Sequence, residues 1–492
     1  MIYLSHIATG FSRAWRGSLL ALGCATTVVT SAGAAGTAVT TWFDAREIAL
    51  PRPTWSMAQD RQGVLYFGSD CLLTFDGRHW RKFETEGPYG ICALDLDSQG
   101  RLWAGTQTDL GWYDQTESTG WKFHSLLATL PASERTIDTI TKVAAIGSEV
   151  TFISRQAVYH WDGAKFRVDH LPSKTRLYPV RAGDHLYAFT REAGLYELGP
   201  KGPELKLPAS EFKRGAVLWM EPLAPGSRIV TGAALYVYQH GKLEEPNPQV
   251  GDLLAKLSIA TATSLPDGRI AIGTAQGKIL LLGLDGSTEW LNYDLRGTDN
   301  RAINHLFCDR EGALWIDFGA DVARIDLAGP SKLYTKESGV PTADVRTILA
   351  TADQVYIPTF SGLHALDPAT GKTSLLPGTR ENYLDARFYQ GGLLLTSGRV
   401  CLWKDGKETQ LYRANRMQNW SRPSLLFPGK FLVYDGRAIG LLDEAGTMRP
   451  LVTDLPDILC NVAETPDGRL WLATFSKGLY VTKPTLDRVP SV

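Results

Sequence analysis

Arginine and aromatic side chains recur just ahead of short apolar segments along this 492-residue chain. They are Trp55, Tyr89, Arg135, Arg176, Tyr178, Trp219 and Arg301, followed by Arg346, Trp420 and Arg422. An aromatic ring stacks on the apolar face of a sugar, and a guanidinium grips a carboxylate or sulfate through two parallel hydrogen bonds. These residue types predict a binding site for a small molecule or an anionic oligosaccharide. Trp55 and Trp219 also have a plainer explanation, as packing between neighbouring structural units.

Acid, base and metal chemistry is thinly represented. Asp95-Leu-Asp97-Ser-Gln99-Gly100 alternates oxygen ligands before a glycine, as calcium loops do. No glutamate follows to close the coordination sphere and no helix flanks the segment, so a hairpin turn explains the spacing better. Gly273-Thr-Ala-Gln-Gly277-Lys278 is one residue short of a phosphate loop, and Ile279 stands where that loop needs Ser or Thr. The histidines form neither H-x-H nor H-E-x-x-H, and G-x-S-x-G does not occur. No metal, cofactor or catalytic residue is therefore assigned. A triad assembled from distant units stays open, because closing a ring brings distant residues together.

Composition narrows the classes further. A formal charge of −1 leaves no cationic footprint for nucleic acid or for a membrane surface. An apolar share of 44% is ample for a packed core. Arg13 and Arg16 precede an apolar run from Leu19 to Val29, and small residues follow at Ser31 to Ala35. That order predicts a signal peptide over 1–35 and a periplasmic or otherwise extracytoplasmic product. An uncleaved membrane anchor is the alternative, although the run falls short of a bilayer span. Five cysteines follow the leader without a C-x-x-C, which is not a disulfide scaffold; a Cys71–Cys92 pair stays open.

The elements that must position these residues are repeats. D-S-Q-G-R-L-W-A-G-T at Asp97 returns as D-R-E-G-A-L-W-I-D-F at Asp309 and P-D-G-R-L-W-L-A-T at Pro466. Weaker copies begin at Asp60 and Pro266. Each is an acidic-glycine turn feeding a short apolar strand, and helical periodicity is nearly absent. Eleven units start near Trp55, Ile91, Ile137, Leu177, Val217, Ile259, Ile303, Val345, Asp385, Leu425 and Ile458. Their spacing, roughly forty residues, is that of a four-stranded propeller blade. The expected fold is all-β: a seven-bladed β-propeller over 37–336, then a partial second propeller of about four blades over 337–492. An open second ring leaves an apolar face whose lost burial rivals the stability of a domain. An incomplete chain, a partner, a dimer through the partial propeller or a different blade partition would each resolve it.

The blade text I-x-x-L-x-x-D-x-x-G-x-L-W-x-G-T-x-x-G-L resembles the two-component regulator propeller repeat. The strongest copies run from Ile91 to Trp112, Ile303 to Val322 and Leu459 to Leu479. The resemblance implies the extracytoplasmic sensor part of a membrane receptor of the hybrid two-component type. Such receptors carry two seven-bladed rings, a three-tyrosine domain, a membrane helix and a signalling module. This sequence ends about three blades short of a second ring and shows no kinase or response-regulator motif. The expectation is an exported ligand-sensing module, non-catalytic in itself, whose signalling partner is missing. A propeller lyase or glycan hydrolase, or a periplasmic interaction scaffold, are the competing expectations.

Overall fold

A computed structural model describes residues 36–484, except 45–47, 49–53, 85–89, 117–119, 173–175, 214, 294–300, 320, 328, 330, 337–338, 341–344, 346, 380–381 and 414–418. The predicted leader, 1–35, lies outside the described residues. The protein is all-β, built among the described residues of ten antiparallel sheets of four strands and one of three, with a two-stranded pairing of Thr37–Ala38 and Lys332–Leu333 beside them. In chain order, sheets 1–7 begin with Ser56–Gln59, Ile91–Leu96, Ile140–Ile146, Tyr178–Ala182, Val217–Met220, Ile259–Ser264 and His305–Cys308. Sheets 8–11 begin with Leu349–Ala350, Asp385–Tyr389, Asn419–Pro423 and Leu459–Glu464. Nearly every strand pairs with the next along the chain, so each sheet is a simple meander. Sheet 7 is the exception, because its outermost strand is Thr40–Phe43 from the start of the chain, paired with Val322–Ile325.

The repeated sentence acts through three contacts. Asp97 closes the hairpin: its Oδ1 accepts the N–H groups of Gln99 and Arg101, each at 2.9 Å, and its Oδ2 accepts the Trp103 indole N–H at 2.9 Å. Asp309 does the same for Ala313 and Trp315, and Asp60 for Val64 and the Tyr66 hydroxyl. Gly100 and Gly312 take φ of +83° and +84°, the left-handed conformation that closes the turn and that other residues resist. The glycine ending L-W-A-G-T has a different task. A Cβ on Gly105 would lie 2.2 Å from Cγ2 of Ile140, and one on Gly68 would lie 2.8 Å from Cγ2 of Ile91. That glycine is the socket for the first isoleucine of the following sheet.

Sheets stack face to face, and each neighbouring pair shares its own apolar cluster. Trp103, Leu110, Ile140 and Phe152 join sheets 2 and 3, and Ile279, Leu281, Ile303 and Ile316 join sheets 6 and 7. Met57, Phe67, Leu73, Trp315 and Val322 join sheet 1 to sheet 7. The Arg310 N–H also donates to Gln59 Oε1 at 2.8 Å across the same seam. Sheets 8 to 11 stack in series through three further clusters, and none of these joins sheet 11 to sheet 8 among the described residues. Most exposed large apolar side chains lie in this second stack, including Phe475, Leu479 and Val481.

The tenth unit differs from the sequence expectation. Its first strand is Asn419–Pro423, ahead of the expected start at Leu425. Leu425 is 69% exposed and lies in a turn. The Leu425 and Leu426 N–H groups are held by the buried Glu464 carboxylate of sheet 11, at 2.8 and 3.1 Å. The apolar run Leu425-Leu426-Phe427 imitated a strand, whereas the true one begins at an undistinguished Asn-Trp-Ser.

Candidate functional site: a channel lined by seven strands

The first strands of sheets 1–7 all contribute to one cavity of about 580 Å³. Several begin with a register shift: between Ile140 and Lys142, Val217 and Trp219, and Ile259 and Thr261. An extra residue in a strand re-aims the side chains that follow it. Lys142, Trp219 and Thr261, each directly after such a shift, all line the channel.

Four titratable side chains meet here from four sheets. Asp95 of sheet 2 accepts Arg181 Nη1 of sheet 4 at 2.6 Å and the Ala145 N–H of sheet 3 at 2.8 Å. Its Oδ1 accepts the Leu96 N–H at 2.9 Å. Asp95 and Asp97 therefore serve different ends, one in the channel and one in the hairpin, and no shared cation binding follows from their spacing. Lys142 of sheet 3 lies within electrostatic reach of both Asp95 and Arg181. Burial lowers the pKa of its amine, Asp95 acts to raise it and Arg181 lowers it further. His305 of sheet 7 feels Lys142, and burial pushes its imidazole down to about 4 with that ammonium adding to the shift. Its Nδ1 is buried without a hydrogen-bond partner. The imidazole is neutral at pH 7, so the charged side chains of the channel wall are the Asp95–Arg181 pair, Lys142, Asp309 and Arg310.

The residues singled out by type are dispersed. Trp219 lines the channel, where its indole N–H donates to Ser264 Oγ at 2.9 Å and the Arg228 guanidinium lies 5.6 Å from the ring centre. It also packs with Val230, Leu254 and Ile272, joining sheets 5 and 6. Arg176 and Tyr178 meet each other: the guanidinium sits 4.6 Å from the ring centre, with Arg191 at 5.6 Å. Trp55 lies against Gly90, where an added Cβ would come within 2.4 Å of its ring. Arg135 donates to the Leu130 and Ala128 carbonyls at 3.0 and 2.8 Å. Arg301 pairs with Asp321 at 2.6 Å. In the second stack, Trp420 packs against the cluster joining sheets 10 and 11, and Arg422 donates to the Val462 carbonyl. Tyr89 and Arg346 lie outside the described residues.

Of the channel residues, Lys142, Arg181 and His305 were not singled out by type, and Asp95 was weighed only as part of a calcium-like loop. A signal for them exists: a charged or imidazole residue inside a first strand that is otherwise apolar, as in I-C-A-L-D, I-T-K-V-A, Y-P-V-R-A and I-N-H-L-F.

One other constellation imitates catalytic machinery. His160 lies between Glu149 and Asp169, at 2.9 and 3.1 Å, and Thr151 Oγ1 approaches it at 3.1 Å. A relay would need the hydroxyl and the orienting carboxylate on opposite ring nitrogens. Here Glu149 competes with Thr151 for Nδ1, Asp169 lies beside Nε2 without a hydrogen bond to it, and the ring is buried. The cluster ties three strands of sheet 3 together. A surface cavity of about 760 Å³ between sheets 4 and 5 holds His185, Glu197 and Lys206, which satisfy one another at 2.6 and 3.0 Å.

Neither a protein-family model nor a curated protein sequence matches the chain. Among solved structures, the chain is similar to the extracellular domain of a hybrid two-component system from B. thetaiotaomicron, at 17% identity and a TM-score of 0.60. That match covers 88% of this chain and 63% of the other, so the chain spans less than two thirds of that domain. A second extracellular domain from the same organism matches at 15% identity and a TM-score of 0.44, over 88% of this chain and 66% of that one. A virginiamycin B lyase from Staphylococcus aureus matches at 13% identity and a TM-score of 0.44, over 59% of this chain and 99% of that one. Among the described residues, no helix is long and apolar enough to cross a membrane. At these identities the likeness is one of fold: this is a β-propeller protein resembling the extracellular domains of two-component systems.

Proposed function

We propose that the chain is the extracytoplasmic, ligand-sensing part of a two-component-type receptor, and that its ligand site is the channel lined by sheets 1–7. In this reading sheets 1–7 close one seven-bladed ring and sheets 8–11 belong to a second propeller. The single observation that carries the reading is the meeting of Asp95, Lys142, Arg181 and His305, from four sheets, in a cavity of ligand size. A buried polar cluster that builds no core packing costs stability, and recognition is a reason to keep it. The likeness in fold to the extracellular domain of such a system supports the location.

Binding without chemistry fits the channel better than catalysis. The Cys308 thiol is pushed up to about 11 by burial and the nearby carboxylates, so it is no nucleophile at neutral pH. A His305 that titrates near 4 is a weak base. A docking role for the second stack is the other reading that an observation favours. Trp471, Leu479 and Val481 share the face of sheet 11 turned away from sheet 10, and Leu479 and Val481 are exposed.

The test is a thermal-shift screen of the full chain against neutral and acidic oligosaccharides and small organic acids. Sensing predicts that at least one class raises the melting temperature in a saturable way. If no compound does, while another exported protein binds with micromolar affinity, the docking reading takes its place.

A further inference from the structure

The channel is asymmetric in its unsatisfied groups. Asp95 and Arg181 neutralise each other at 2.6 Å. Lys142, on the strand between theirs, has no hydrogen bond or ion pair among the described residues. Across the cavity, His305 Nδ1 is buried and unpartnered. The Thr261 and Thr263 side chains line the same wall. The strands from sheets 1, 5 and 6 bring no charged side chain to the channel lining, and the loop after His305–Cys308 adds Asp309 and Arg310 at one end. Asp309 is already held by the Trp315 indole and by the Ala313 N–H. Two cations, Lys142 and Arg310, and one imidazole are therefore left along the lining of the same space.

We propose that the channel binds a small oxyanion, a carboxylate or an inorganic oxyanion of similar size, directly on the Lys142 ammonium with His305 as a neighbouring contact. Lys142 is half-buried, and a partly desolvated cation without a partner is unfavourable; an anion in the cavity removes that penalty as it binds. Arg181 is held in place by Asp95 and keeps further N–H groups to offer. The cavity has room for a molecule of several heavy atoms beside the anionic group. This deepens the sensing reading and rests on the channel being its ligand site.

Protonation must follow. Burial lowers the Lys142 pKa and an adjacent anion raises it again, so binding takes up protons where the free amine is partly neutral. Affinity for the anion then falls as the pH rises through that range. Asp95, Arg181 and His305 are the charged and titratable groups that face Lys142 from the neighbouring strands.

The experiment is isothermal titration calorimetry of the full chain with succinate, sulfate and neutral maltotriose, repeated with Lys142→Met. Lys142→Met replaces a half-buried charge by an apolar chain of similar length, so it is expected to fold. Expected is saturable binding of succinate or sulfate by the wild type, weakened about tenfold or more in Lys142→Met. Titration in two buffers of different ionisation enthalpy should show proton uptake in the wild type alone. Failure of both anions to bind, or equal affinity in Lys142→Met, overturns the oxyanion assignment. Maltotriose binding that Trp219→Ala abolishes, without anion binding, overturns it while leaving the channel as a sensing site. Absence of all three, with no hit in the wider screen, removes both readings.

Discussion

His305 and Asp317 face each other across neighbouring strands of sheet 7, and folding shifts their proton affinities in opposite ways for stability. His305 falls from 6.5 to about 4 on burial, so the unfolded chain takes up the proton first as the pH falls. Its contribution to stability is therefore lost between pH 6.5 and 4. Burial raises Asp317 from 3.8 to about 6, against the pull of the Gly319 N–H. The folded state holds that proton longer, and the stability it supplies below pH 3.8 is lost as the pH rises through 6. Each shift is worth about 3 kcal/mol, so the two slopes roughly cancel between pH 4 and 6. Asp317→Asn removes one of them. It should stabilise the protein by about 2–3 kcal/mol at pH 7 and leave a stability that climbs from pH 4 to 6.5. Urea denaturation across that range measures this; an unchanged stability at pH 7 contradicts the assignment.

At the scale of the sheet, two features predict large effects from small changes. Gly105→Ala places a methyl 2.2 Å from Ile140, whose side chain is fully buried. Overpacking of this kind costs about 1–3 kcal/mol, read as a lowered melting temperature. Phe43 lies on the strand that completes sheet 7, stacked 5.5 Å from Trp315 and edge-on to Phe75 and Trp80. Phe43→Ala should cost about 3 kcal/mol and expose the seam between sheets 7 and 1 to protease. If the protease sites are unchanged, that strand does not hold the seam. The turn sentence was legible because Asp97, Gly100 and Trp103 interact within seven consecutive residues. The strand Thr40–Phe43 was not read as part of sheet 7, since its partner is some 280 residues away and no local pattern marks it. Leu425 misled for a related reason: its N–H is satisfied by Glu464, a contact that local hydrophobicity does not encode. Lys142 and His305 escaped because a search by residue type favours Arg and aromatics, whereas position inside the first strand decides which side chains reach the channel.

At the scale of the whole molecule, the proposed ligand site lies in sheets 1–7, and a docking surface on sheet 11 is the competing proposal. Phe360, Phe388, Phe475 and Leu479 are exposed in the second stack and Leu205, Leu284 and Trp290 in the first, while all seven seams of the first are filled. The most direct test is hydrogen–deuterium exchange of the full chain with and without the tightest compound from the binding screen. The account predicts slowed exchange in 91–96, 140–146, 178–182 and 305–308, the strands that carry Asp95, Lys142, Arg181 and His305. Protection confined to 349–482, with those four strands unchanged, would contradict it.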